Sequence, residues 1–267
     1  MTHDVSPREE IAHVPREHGR GAAFFDLDRT LMAGSSGLYW ARAARGAGLL
    51  TRRRMVRYGW ANVKFRLQGS TDQATDRVRR EVGEMISGQR VVDMQRLAPK
   101  VLAGVLPRLY PQMLDVAHAH QDAGRPVYIC TAASQEVADL LAAVLTFDGA
   151  IGTRSQIVDG AYTGQLDGPF TYRDGKATAI RQLAESEGLD LAASYAYSDS
   201  ESDLPMLRVV GHPVVVNPDA ELRRVAREEG WEVMRFEQLG RRLKAGAAVV
   251  LAALVGTGAR TVAVRKK

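Results

Sequence analysis

Short apolar runs alternate along the chain with longer stretches of helical spacing. The runs at 22–27 (AAFFDL), 126–130 (PVYIC), 194–198 (SYAYS) and 213–217 (PVVVN) are rich in β-branched and aromatic residues, and each gives way at once to polar residues. Runs of this kind, apolar on both faces, predict buried parallel strands. Residues 134–145 (SQEVADLLAAVL) show helical spacing behind a serine, and 176–188 (KATAIRQLAESEG) end on Gly188, so both predict helices. In 151–166 (IGTRSQIVDGAYTGQL) a DG step between extended runs predicts a β-hairpin or flap. Strands alternating with helices imply an α/β fold, a doubly wound and mostly parallel sheet.

Almost a hundred residues separate the first two runs, far more than a crossover helix needs. From 35 to 107 the text is helix-rich, which predicts a helical cap inserted after the first strand. The expected division is a flexible arm at 1–20, a core at 21–34 and 108–240, the cap at 35–107, and a basic and apolar tail at 241–267. The arm has neither the apolar core of a secretory signal nor that of an anchor. In the tail, residues 245–259 carry no charge and lie between Arg241, Arg242 and Lys244 on one side and Arg265, Lys266 and Lys267 on the other. As a helix they would reach about 22 Å, short of a bilayer's core of roughly 30 Å. Packing on the domain or at a homodimer contact is the first expectation, and membrane insertion or interfacial docking, with the basic flanks meeting anionic lipid, the second.

Composition changes the picture only for partners. With 36 basic and 31 acidic residues the net charge is +5, and 45% of the chain is hydrophobic, as in a soluble globular protein. The basic residues are not evenly spread. From Gly34 through Thr71 there are Arg42, Arg45, Arg52, Arg53, Arg54, Arg57, Lys64 and Arg66, and no acid. Such a field is either a solvated face or an attractant for an anionic substrate or lipid, and Leu38, Tyr39, Trp40, Trp60 and Phe65 interleaved with it would suit lipid. Nucleic acid is not expected, because no binding module accompanies the charge. The single Cys130 excludes an intrachain disulfide, no Cys/His spacing fits structural zinc, and a cytoplasmic setting follows as the default, with membrane association as the second expectation.

Asp26 and Asp28 end the first run with one residue between them, so the period of a strand turns both side chains the same way. At the carboxyl edge of an open sheet, where ligands bind, two such carboxylates call for a cation between them or a shared proton. Alternatively Asp28 caps the next segment and Asp26 is solvated. The other strand ends supply matching groups. Thr131 follows the second run, Asp199 and Asp203 follow the third as further oxygen donors for a hard cation, and Lys176 opens a helix where an ammonium could meet a phosphate. Asn217 ends the fourth run and serves either the site or a turn before Pro218. His118 and His120 sit two apart on a helix and face different ways, Cys130 reads as a buried strand residue, and Arg173 and Asp174 are substrate contacts or plain surface.

DLDRT, the strand-end Thr131, Lys176 in DGKA and SDSESDLPML, in this order, resemble the four motifs of the haloacid dehalogenase superfamily. An insert between the first two motifs and the DSxxDxPML text resemble the subfamily that contains phosphoserine phosphatases. The resemblance implies a Rossmannoid core and a Mg²⁺-dependent phosphomonoesterase acting on a small phosphorylated substrate. It implies Asp26 as the nucleophile, Asp28 as acid and base, and Thr131 and Lys176 on the phosphoryl oxygens. Asp26, the Asp28 main-chain carbonyl and Asp199 would hold the ion, with Asp203 and Asn217 behind them. Ala132, Ala133 and Ser134 depart from the two glycines and aromatic residue of phosphoserine phosphatases, so histidinol phosphate and lysophospholipid phosphates stand beside phosphoserine as substrates. A phospho-accepting signalling module and a non-catalytic regulatory protein are the rival classes, and the cap and the second acid Asp28 favour turnover.

Overall fold

The protein is described from a computed structural model over residues 20–51, 53 and 72–236. The arm at 1–19, the tail, Trp60, Phe65 and five of the eight basic residues of the 34–71 stretch (Arg52, Arg54, Arg57, Lys64, Arg66) lie outside the described residues.

Six parallel strands form one sheet in the order β3-β2-β1-β6-β7-β8. They are β1 (Ala23–Phe25), β2 (Val127–Ser134), β3 (Gly149–Thr153), β6 (Tyr195–Ser198), β7 (His212–Val216) and β8 (Glu232–Met234). In β1, Phe24 faces one apolar layer with Tyr128, Cys130, Ile180, Met206 and Leu222. Its neighbour Phe25 faces the other, with Ile129, Leu141, Tyr197 and Val216. That alternation is the two-residue period of a strand buried on both sides. The chain winds outward from β1 to β3 and then restarts at β6 on the other flank of β1. The carboxyl ends of β1 and β6 therefore bound a topological switch point, the crevice where doubly wound sheets take ligands.

Helices cover both faces: α5 (Pro111–Asp122), α6 (Gln135–Val144), α7 (Asp174–Glu187), α8 (Leu204–Leu207) and α9 (Ala220–Glu228). One expectation needs correction. The run at 151–153 belongs to β3 in the main sheet, paired with β2, and only β4 (Ser155–Val158) and β5 (Ala161–Leu166) make the hairpin. The edge strand β8 was not foreseen.

Between β1 and β2 the chain forms α1 (Ser36–Gly46), α2 (Asp72–Ile86), α3 (Val91–Gln95) and α4 (Ala98–Val105), followed by a 3-10 turn at Leu106–Arg108. It leaves and re-enters the sheet side by side, with Ala33 N–H donating to Arg108 O and Tyr110 N–H to Leu31 O, both at 2.8 Å. Helix α2 rests on the hairpin so closely that a Cβ on Gly83 would fall 2.3 Å from Gly164 O. Backbone bonds continue that seam, from Gly88 N to Tyr162 O, Tyr162 N to Gln89 O and Val91 N to Gly160 O. Among the described residues no helix is long and apolar enough to cross a membrane.

Candidate active site

Asp26 follows β1 directly and its N–H donates to Tyr197 O at 3.0 Å, which seats it at the switch point. Lys176 reaches it from the first turn of α7. The Lys176 ammonium, 2% exposed, donates to Asp26 Oδ1 at 2.6 Å and to Asp203 Oδ2 at 2.8 Å. Gly175 makes this approach possible, because a Cβ there would lie 1.8 Å from Phe170 O. Asp203 closes the 3-10 turn Glu201–Asp203 after β6, and Ser198 Oγ donates to the same Oδ2 at 2.7 Å. Asp199, 3% exposed, lies one residue beyond β6, and its Oδ2 is 3.0 Å from Arg29 Nη2. Its carbonyl accepts from Asp219 N–H, and Asp219 caps α9 while also accepting from Glu201 N–H.

Asp28 is half-buried and held by the insert. Ser35 Oγ donates to its Oδ2 at 2.6 Å and Ser36 N–H to its Oδ1 at 2.8 Å, so its carboxylate sits at the start of α1, where helix N–H groups favour negative charge. The capping half of the alternative thus holds for Asp28, whereas Asp26 is buried and not solvated. Thr131 is buried in β2, and its Oγ1 accepts from Ala133 N–H at 3.2 Å. Asn217, at a φ of 44°, takes Phe236 N–H on its Oδ1 and so ties the end of β7 to the segment after β8. Cys130 is buried and its thiol is pushed up to about 12 by burial, which leaves it no nucleophilic part.

The electrostatics are those of dry charge. Burial works against the Lys176 ammonium, but Asp203 and Asp26 outweigh it and hold the proton firmly. Burial lifts Asp26 above the ordinary carboxylate range against the pull of Lys176. Asp199 is raised to about 8 by burial and then by repulsion from Asp26, in spite of Arg29. Asp199 Oδ2 accepts no hydrogen bond although Arg29 stands at ion-pair distance. Two buried carboxylates that repel one another, one with an orphaned oxygen, fit a hard divalent cation. Among the described residues no group of three or more His, Cys, Asp or Glu side chains is placed to hold a metal ion. Mg²⁺ does not require one, since it binds through one or two carboxylates and keeps several waters.

Residues 23–208 match the haloacid dehalogenase-like hydrolase family, and the chain belongs to it. Two relatives come from Mycobacterium tuberculosis. A probable phosphatase is 38% identical over 94% of this chain and 88% of its own length. The phosphoserine phosphatase SerB1 is 38% identical over 89% of this chain and 78% of its own. A solved structure, a protein of unknown function from Bordetella pertussis, superposes with a TM-score of 0.71 at 29% identity, over 81% of this chain and 98% of that one.

The sequence reading missed Arg29, Ser198, Asp219 and the serine pair at 35–36. Asp219 carried a signal, an acidic cap before a helix in NPDAEL. Ser198 and Arg29 stand inside recognised motifs, where attention falls on the aspartates.

Proposed function

We propose that the protein is a Mg²⁺-dependent phosphomonoesterase that hydrolyses a small phosphate monoester through an aspartyl-phosphate on Asp26. The observation that carries this reading is the dry Lys176 ammonium shared between Asp26 and Asp203, 2.6 and 2.8 Å away at a switch point. Asp26 Oδ attacks phosphorus as the bond to the leaving alkoxide breaks, and Asp28 supplies the proton that alkoxide takes. Water then attacks the same phosphorus, Asp28 accepts its proton, and the Asp26 carboxylate and inorganic phosphate are released. Lys176 and Thr131 hold the phosphoryl oxygens while negative charge spreads over them. Asp203, fixed by Ser198, keeps the ammonium aimed. Asp26, Asp199 and the Asp28 carbonyl would hold Mg²⁺, which when bound neutralises phosphoryl charge.

Residues 35–107 act as the cap, and the Asp28–Ser35 and Asp28–Ser36 bonds tie the acid to its first helix. Phosphoserine is the first substrate to test, supported by the relative named for it. Histidinol phosphate and a lysophospholipid phosphate follow, since Ala132, Ala133 and Ser134 depart from the pattern expected of a seryl pocket. The exposed Arg42, Arg45 and Arg53 would draw any of these anions toward the cap. The protein works in the cytoplasm on this reading.

Mg²⁺-dependent phosphate release from p-nitrophenyl phosphate and these three esters tests it, with Asp26→Asn as control. Turnover lost in the variant is expected. No metal-dependent release from any ester by folded protein would overturn the reading.

A further inference from the structure

Asp199 has an unusual setting for a carboxylate so deeply buried. Its Oδ2 accepts no hydrogen bond, Asp26, Asp203 and Asp219 add negative potential around it, and among the described residues the cation paired with it is the Arg29 guanidinium at 3.0 Å. Arg29 reaches that position from a left-handed backbone, φ 68°, which costs a residue with a Cβ about 1 kcal/mol or more. Its anchors are firm on both sides, with Asp28 held by Ser35 and Ser36 and Thr30 fully buried. Yet the side chain itself is 37% exposed, so it can swing into solvent without unfolding anything.

We infer that Arg29 is a tethered counter-ion, whose guanidinium stands at Asp199 in the place of the divalent cation and leaves that carboxylate when the metal arrives. This rests on the metal site of the proposed function. A guanidinium and a dication repel one another, and one buried carboxylate oxygen cannot satisfy both at contact distance. The metal therefore binds against the ion pair that Arg29 already makes, and its apparent affinity is lowered by the fraction of protein in which Arg29 is engaged. In return the metal-free protein is spared an unpaired buried carboxylate, a costly state.

The test needs no substrate. Mg²⁺ binding is measured by titration calorimetry on wild type, Arg29→Gln and Arg29→Gly, the glycine suiting the left-handed backbone. Asp199→Asn is the control, and thermal unfolding is followed with and without Mg²⁺. Both Arg29 variants are expected to bind Mg²⁺ roughly 3–10-fold tighter. They should melt below wild type without metal and regain the difference at saturating Mg²⁺. A purely structural arginine would leave the deficit in place with metal. Equal or weaker Mg²⁺ binding in both variants, or a deficit that persists, overturns the inference and leaves the metal site intact. Binding by the Arg29 variants but not by wild type supports it in its strongest form. No Mg²⁺ binding by any of the proteins sinks the metal site itself and the inference with it.

Discussion

Two polar clusters are buried against the same sheet, and they solve burial in opposite ways. At the carboxyl ends of β1 and β6, Asp26, Asp203 and Asp199 crowd around the dry Lys176 ammonium, with Ser198 and Arg29 as braces, and burial raises Asp26 and Asp199 above the ordinary carboxylate range. Toward the other ends of the strands His120, 5% exposed, closes α5 beside Arg125, Tyr195 and Tyr197. Arg125 Nε donates to His120 Nδ1 at 2.8 Å, so the ring carries its proton on Nε2 and donates it to Tyr197 Oη at 2.8 Å. Burial, and then the nearby guanidinium, lower this histidine to about 4. Both of its nitrogens are satisfied without a charge. A fold that can satisfy a buried titratable group neutrally at one edge, yet crowds carboxylates around a buried ammonium at the other, carries that crowding for chemistry rather than stability, since buried ion pairs seldom stabilise more than apolar packing does.

The comparison breaks most visibly at Asp26. Asp26→Asn should cut phosphatase turnover by about 10³-fold or more while the protein stays folded, as steady-state assay and circular dichroism would show. Next comes Lys176→Met, which strands two buried carboxylates and should cost about 3–5 kcal/mol in urea unfolding. Adding Asp26→Asn and Asp203→Asn to it should restore most of that loss. At the neutral cluster pH is the lever. The His120 pKa is depressed on folding, so its contribution is complete above the unfolded value near 6.5 and falls away as pH drops toward 4. Wild type should lose about 2 kcal/mol between pH 7.5 and pH 5 relative to His120→Gln, whose amide can keep both hydrogen bonds. Ser198→Ala, which removes one brace of Asp203, should cost about 1 kcal/mol and more of kcat than of KM. The exposed Arg224, paired with Glu221 and Glu228, sets the floor, and Arg224→Ala should leave the melting temperature unchanged within error.

Much of this was legible in the chain, for physical reasons that also explain what was not. Four strands announced themselves because burial on both faces demands continuous apolar text, and Asp26, Asp199 and Lys176 stood out as candidates because each lies where such a strand ends or the next helix begins. β3 hid because GAIGT holds one large apolar residue between two glycines, and β8 because a half-exposed edge strand of three residues has no period to read. Asn217 read as a site or turn residue from its strand-end position, and its Oδ1 takes the Phe236 N–H while its own N–H donates to Met234 O. Arg29 could not be read at all. Nothing in DLDRT announces a positive φ, and its partner lies 170 residues away.

The seam between Gly83 and Gly164 bears on how the molecule can move. Backbone packed on backbone, sewn by three amide bonds, has no side chain to flex or slide. Helix α2 and the β4–β5 hairpin therefore travel as one stiff plate, although one belongs to the insert and the other to the core's sequence. Among the described residues the insert is joined to the sheet by the paired crossing at 31–33 and 108–110, and by the two serines that grip Asp28. Any hinge that opens the crevice pulls there first, so Asp28 feels the door before Asp26 does.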